Sequence, residues 1–300
     1  MLKIEEYPYC FHTLSNGIRL VHRYTPSIVS HCGLTIGVGS RDEKQSENGT
    51  AHFVEHCLFK GTERRKAFRI LDCIDGVGGE LNAFTTKEET CVYGLYLEQY
   101  HERFLDLLAD IVFHSTFPAQ AIEKEKEVIL DEINSYLDTP SEQIFDDFEQ
   151  MVFGNRGLGR MILGTPNKVK AMRQEKLQDF VRRNYTTDNM VLSTITSMPA
   201  EKWFVLCEKY LGREPKTECT NKRTSSGIYK PTHKRLDRDT YQSHIIVGSK
   251  AFSYRNPKKV PFSLLNNILG SGAMNSYLNM HIREKYGFTY SIESSYTAYY

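Results

Sequence analysis

The segment His52-Phe53-Val54-Glu55-His56 constrains this chain more than any other stretch. On a helix, residues four apart share one face with Cβ atoms about 5–6 Å apart. Two imidazoles so placed can converge on one Zn²⁺ at about 2.0–2.1 Å each. Glu55 lies on the same face and can take a proton from a water on that ion without being a ligand. The pattern is H-x-x-E-H, the reverse of H-E-x-x-H. An exposed polar helix face would carry the same residues, so five positions alone leave both readings open. A fold that uses the pair for catalysis must bring in a third ligand and keep one position open.

The predicted helix Ala121 to Ser135 offers Glu125 and Glu132 for that purpose. Seven residues make about two turns, so both carboxylates fall on one face. Val128 and Ile129 are expected between them on that face. Apolar flanks suggest burial, and a buried carboxylate needs a partner or a metal. Glu123, Lys124, Lys126 and Glu127 keep the alternative open, a solvated helix with Glu–Lys pairs. The chain contains no H-E-x-x-H, Walker A, G-x-S-x-G or zinc-ribbon cysteine pattern that would compete.

Three hundred residues suggest two domains. Lys+Arg 38 against Asp+Glu 37 gives a net charge of +1. That excludes the overall basic field that drives binding to nucleic acid or an anionic membrane. No apolar run approaches the ~18 residues of a transmembrane helix. The seven cysteines are odd in number and show no C-x-x-C spacing, which fits reduced thiols in a reducing compartment. The start, Met1-Leu2-Lys3-Ile4-Glu5-Glu6, has no apolar signal core. A cytoplasmic location is therefore expected.

Strands are expected in the first 35 or so residues, with a turn at Ser15-Asn16-Gly17 inside Thr13 to Arg23, and over His31 to Val38. Leu81 to Leu97 has strand character. Helices are expected over residues 50–60, Tyr100 to Phe113, Ala119 to Tyr136 and Ser141 to Phe153. Between Arg213 and Arg238 the chain carries eight Lys/Arg and three Asp/Glu, with Pro215, Pro231 and the run Thr224-Ser225-Ser226-Gly227. This reads as a solvated linker. The expected division is a first domain over 1–212, a linker over 213–238 and a second domain beginning at 239. In that domain Ser243 to Gly248 reads as a strand, Phe262 to Leu269 as a helix, and the last residues as a strand-like run.

Several further motifs accompany the histidine pair. Gly39-Ser40-Arg41-Asp42-Glu43 precedes Gly49-Thr50-Ala51-His52-Phe53-Val54-Glu55-His56, and Phe59-Lys60-Gly61-Thr62 follows. Then come Gly78-Gly79-Glu80-Leu81-Asn82-Ala83-Phe84-Thr85, Glu125 to Ile133, Gly157-Leu158-Gly159-Arg160 with Leu163-Gly164-Thr165, and Asn184-Tyr185 with Asn189-Met190. Glu132 stands 76 residues after His56. Over most of residues 10 to 195 the chain thus resembles the pitrilysin/insulinase metallopeptidases, the inverzincins, and among them the shorter processing-peptidase-like members. Ser193 to Met198 departs from that family's usual small-residue run ending in glycine, which bears on packing and leaves the ligand candidates intact.

The resemblance implies an α+β fold of two-layer domains, each a mostly antiparallel sheet with helices on one face. It implies Zn²⁺ held by His52, His56 and Glu132, with Glu55 as general base and Glu125 as a supporting glutamate that orients a ligand. It makes Asn82, Ala83 and Phe84 an edge strand that pairs with the substrate backbone by β-augmentation. Asn82 after two glycines could also be a plain turn residue. Arg283 and Tyr290, seven apart, match a pair that meets substrate and the developing oxyanion, with Gly287 ending a helix between them. Gly270-Ser271-Gly272 also fits the family and is not a phosphate loop, since no strand–GxGxxG–helix context surrounds it. The implied activity is zinc-dependent endopeptidase cleavage of unfolded peptides or oligopeptides, by a zinc-bound water that Glu55 activates. The implied assembly is a homodimer, or a heterodimer with a related half, with no nucleic-acid or membrane partner. The second domain lacks most of the helices and closing strands that the family carries, so a fragment is expected. Two rivals remain: a non-catalytic scaffold subunit of the same fold, disfavoured by retention of all four zinc-site residues, and a structural zinc protein, disfavoured by a set of only three N/O ligands. Cys57 lies about 100° off the ligand face and is expected to pack.

Overall fold

The computed structural model describes residues 7–223 and 229–300. Residues 1–6 and the Thr224 to Gly227 run singled out above lie outside the described residues. The chain divides into two compact units, 1–228 with 234–246, and 229–233 with 247–300.

The first unit is built on a six-stranded sheet. Its strands are β1 (Tyr9–Thr13), β2 (Arg19–Tyr24), β3 (Val29–Ile36), β4 (Glu80–Thr85), β5 (Thr90–Leu97) and β6 (Met190–Thr196), in the order β1-β2-β6-β3-β5-β4. Only β2 and β6 run parallel; the other neighbours are antiparallel. The expected turn joins β1 to β2: Gly17 adopts φ +99°, and the Leu14 amide donates to Ile18 O at 2.9 Å. The strand-like stretch from Leu81 is a hairpin and not one strand. The Thr86 amide donates to Glu89 O at 2.8 Å and turns the chain between β4 and β5. That turn leaves β4 at the edge of the sheet, with β5 as its neighbour.

Helices α1 (Thr50–Leu58), α2 (Ala67–Asp75), α3 (His101–Phe113), α4 (Ala119–Leu137), α5 (Pro140–Phe153), α6 (Pro166–Lys170), α7 (Gln174–Asn184) and α8 (Ala200–Cys207) complete this unit. Alternation along the strands decides which face they cover. Leu20, Leu34, Ile36, Val92 and Leu192 join one core with Phe104 and Leu108 of α3, Ile129 of α4, Phe180 of α7 and Trp203 of α8. Each such fully buried side chain contributes roughly 1.5–3 kcal/mol. Phe11, Phe84 and Ile195, on the other face, stay exposed. The unit is therefore a two-layer α+β structure with helices on one side of a mostly antiparallel sheet.

The second unit contains α9 (Lys259–Gly270) and a wider helical turn at Asn279–Glu284. Among the described residues no strand follows Thr196. The strands expected over Ser243 to Gly248, a stretch that straddles the unit boundary, and near the last residues are thus absent. A strand exists only as part of a hydrogen-bonded ladder, and here the sequence pattern has no paired neighbour.

Candidate metal centre

Helix α1 begins at a sharp corner. Gly49 takes the left-handed conformation at φ +91°, and a Cβ there would come within 2.8 Å of Leu163 O. Only glycine tolerates both conditions. The Glu43 carboxylate sits over this helix start, accepting from the Ala51 amide at 2.8 Å, the Gly49 amide at 3.0 Å and Asn48 Nδ2 at 3.2 Å. A negative group is favoured there by the helix dipole. Burial pushes the Glu43 carboxyl up to about 7, while those donors and Arg160 pull it down.

This corner presents the motif. His52 is buried in the first turns of α1, and its ring centroid is 4.6 Å from that of His56. Helix α4 packs against α1 and brings Glu132 to the pair. Glu132 Oε2 is 3.7 Å from His52 Nε2 and 3.5 Å from His56 Nε2. Ligands about 2.0–2.1 Å from a tetrahedral zinc stand roughly 3.3–3.4 Å apart, so both glutamate–histidine distances approach that spacing, and the three ligand atoms lie within 4.8 Å of one another. The Glu132 side chain is 44% exposed, which leaves the solvent side of the cluster open.

The surrounding groups set charge and orientation. Burial lowers His52 to about 4, with help from the neighbouring His56 and against Glu132. Burial also works to lower His56, but hydrogen bonds with Glu132 and Glu125, with the charges of Glu132 and Glu55, outweigh it and hold that imidazole above its ordinary value. Its hydrogen bond with His56, then the charge of both histidines, keeps Glu132 below the ordinary carboxyl range against partial burial. Glu125 Oε2 lies 3.1 Å from His56 Nδ1, and its other oxygen is 2.7 Å from Lys60 Nζ. Burial raises the Glu55 carboxyl, and the Thr85 hydroxyl pulls it down. Glu55 Oε2 is buried without a hydrogen-bond partner.

The structure thus brings together His52, Glu55, His56, Glu125 and Glu132, and the solvated-helix alternative for α4 does not describe Glu125, which is buried. Val128 departs from expectation: it is 49% exposed, and Ile129 alone of the two faces the core. Three residues beyond Glu125 is 300° of rotation, which turns Val128 away from the side that four residues gives Ile129. Cys57 is packed in the core, as expected. Asn82, Ala83 and Phe84 lie in edge strand β4, which packs against α1, with Asn82 and Phe84 exposed and Ala83 half-buried. The Ala83 amide donates to Asn82 Oδ1 at 2.8 Å.

Arg283 and Tyr290 belong to the second unit. Gly287, at φ +63°, follows the helical segment as expected, and its amide donates to Arg283 O at 2.9 Å. Tyr290 is not in a strand; it is a fully exposed residue in irregular chain. Sequence reasoning passed over Glu43, Lys60 and Thr85 as contributors to the site. All three stand inside the motifs that carry the family resemblance, but nothing in their spacing shows that they meet a helix start, a distant glutamate or Glu55.

Comparison with known proteins agrees with this geometry. Residues 19–166 match the profile of Insulinase (Peptidase family M16), and residues 171–300 that of the Peptidase M16 inactive domain. The chain is 36% identical over 299 residues to the uncharacterized zinc protease YmxG of Bacillus subtilis, covering 96% of this chain and 70% of the relative. It is 35% identical to the uncharacterized zinc protease ML0855 of Mycobacterium leprae, covering 95% of this chain and 65% of the relative. The chain therefore spans about two thirds of the length of these relatives. In fold it is similar to the peptidase M16 inactive domain from Pseudomonas fluorescens, with a TM-score of 0.86 at 18% identity over 97% of this chain and 71% of that one. A protease from Helicobacter pylori gives 0.77 at 18% identity over 93% and 69%. With its motif spacing, its two-layer sheet and these relatives in agreement, the chain belongs to the insulinase family, peptidase family M16.

Proposed function

We propose that this chain is a zinc metalloendopeptidase acting on unfolded peptides or oligopeptides. The observation that carries this reading is the cluster itself: two imidazole nitrogens within 3.7 Å of one carboxylate oxygen, beside a half-buried glutamate with a buried, unpartnered oxygen. That its relatives are named zinc proteases supports the choice of metal. His52, His56 and Glu132 would hold the ion. Bound zinc supplies a Lewis acid and lowers the pKa of water to roughly 7.

The chain's own residues do the rest. Glu55 Oε2, lacking a donor, is free to accept a proton from water and pass it to the leaving amine. Its raised affinity for protons suits both halves of that task. Glu125 accepts the His56 Nδ1 proton and so turns Nε2 toward the ligand cluster. Edge strand β4 supplies main-chain groups at Asn82, Ala83 and Phe84 to pair with an extended peptide, which favours unfolded substrates with little side-chain selection. Arg283 and Tyr290 supply a cation and a phenol for the carbonyl oxygen as it gains negative charge. We assign them to act across a dimer, each serving the site of a second copy or of a related half.

The test is cleavage of an unstructured fluorogenic peptide by wild type and Glu55→Gln, with zinc content measured on the same samples. One zinc per chain in both proteins, with cleavage reduced on the order of 10²–10⁴-fold in the variant, is expected. A zinc-loaded variant that cleaves as well as wild type would remove Glu55 from the reaction.

A further inference from the structure

Lys60 stands four residues after His56, one turn on and just beyond the end of α1. Its own amide donates to Cys57 O at 3.1 Å, which continues the helical course and carries its side chain toward α4. There Nζ meets Glu125 Oε1 at 2.7 Å. The two Glu125 oxygens are thus divided between successive turns at the end of α1: one to Lys60, the other to His56 Nδ1. The Glu125 side chain is only 9% exposed, whereas that of Lys60 is 35% exposed. The ammonium keeps part of its hydration while it neutralises a carboxylate that has lost most of its own.

A carboxylate held through one oxygen can turn, because its terminal torsion is broad and roughly two-fold. Held through both oxygens, its plane is set. Charge-assisted bonds of this kind are short and among the stronger ones in proteins. A histidine ligand depends on what its other ring nitrogen meets, since that contact fixes both tautomer and ring direction. Lys60 touches none of the three metal-ligating groups and reaches them only through Glu125.

We propose that Lys60 is a positioning residue of the metal centre: by holding Glu125 Oε1 it keeps Oε2 on His56 Nδ1 and so aims His56 Nε2 at the ion. The inference rests on the zinc reading above, and its test measures binding, apart from turnover. Zinc affinity is measured by chelator competition on wild type, Lys60→Met, Lys60→Arg, Glu125→Gln and the Lys60→Met/Glu125→Gln double variant. Melting temperatures without metal, and absorption spectra with cobalt in place of zinc, are recorded on the same set.

Lys60→Met is expected to weaken zinc roughly 10–100-fold and to alter the cobalt spectrum, the usual consequence of losing a ligand's outer support. Lys60→Arg should restore most of the affinity, and the melting temperature without metal should stay near that of wild type. In the Glu125→Gln background the same lysine substitution should cost little more, because both act through one contact. Unchanged zinc affinity in Lys60→Met overturns the proposal. So does an equal loss in both backgrounds, which would mean the lysine acts by another route, or a loss that tracks unfolding of the metal-free protein. A wild type that binds no zinc at all would instead overturn the function proposed above, and this inference with it.

Discussion

At the scale of single residues, the centre depends on a division of labour among carboxylates that look alike in the sequence. Glu43 is spent on backbone amides, Glu125 on a lysine and a ring nitrogen, and Glu132 on the side of two imidazoles. Among these three and Glu55, only Glu55 keeps a buried oxygen without a partner. These assignments follow from what each oxygen meets, not from composition. Glu132→Gln tests the ligand role. An amide keeps the size but loses the charge that draws zinc, so affinity should fall by more than the ~10–100-fold typical of losing an outer partner. Chelator competition reads this directly. Retention of wild-type affinity would move the third ligand elsewhere. The histidine pair and Glu132 were legible because helix periodicity and motif spacing are local or fixed in number. Lys60 and Thr85 were not, because each acts on a residue that only the fold brings near.

At the scale of elements, α8 shows how packing sets proton affinities away from the metal. Trp203 of α8 lies between two imidazoles, 5.9 Å between ring centroids from His22 of β2 and 5.1 Å from His101 of α3. His22 Nδ1 is 3.0 Å from Thr194 Oγ1, and Nε2 is 3.1 Å from Met198 O. Burial lowers the pKa of His22, against a raising contribution from the Met198 carbonyl, and burial lowers His101 as well. With the folded value below the unfolded one, the neutral form contributes stability above about pH 6.5. That contribution is lost as pH falls and the unfolded state takes up protons that the folded state refuses. Urea midpoints should therefore fall between about pH 7.5 and 5.5, and less steeply in His22→Gln, which cannot charge. Equal slopes in the two proteins would mean that His22 titrates alike in both states. The longer helices α3, α4 and α5 match their sequence patterns closely, since each is amphipathic and long enough for the period to show. The break of one strand-like stretch into β4 and β5 was not legible, because Thr86 to Glu89 forms its turn without the Asn-Gly or Asp-Gly pair that marks one.

At the scale of the whole molecule, the proposed zinc ligands and the Arg283–Tyr290 pair fall in different compact units. If the pair serves another copy, two inactive variants should rescue each other. Mixing Glu55→Gln with Arg283→Ala and allowing subunits to exchange should regain about a quarter of wild-type activity, since half of the dimers then hold one complete site. Action within one chain predicts no recovery, and native mass measurements on the mixture check that mixed dimers formed. The described residues contain no helix long and apolar enough to cross a membrane, in keeping with the hydropathy of the sequence. By itself the sequence determined the helix that carries two histidines and a glutamate on one face, the helix that carries the distant carboxylates, and family membership, because periodicity and spacing are properties of the chain alone. Tertiary structure decided which carboxylate meets which donor, that β4 lies at the sheet edge beside α1, and that Val128 faces solvent while Ile129 faces the core. Those outcomes depend on strand order and on the packing of α4 against α1, contacts between residues tens of positions apart that no local pattern encodes.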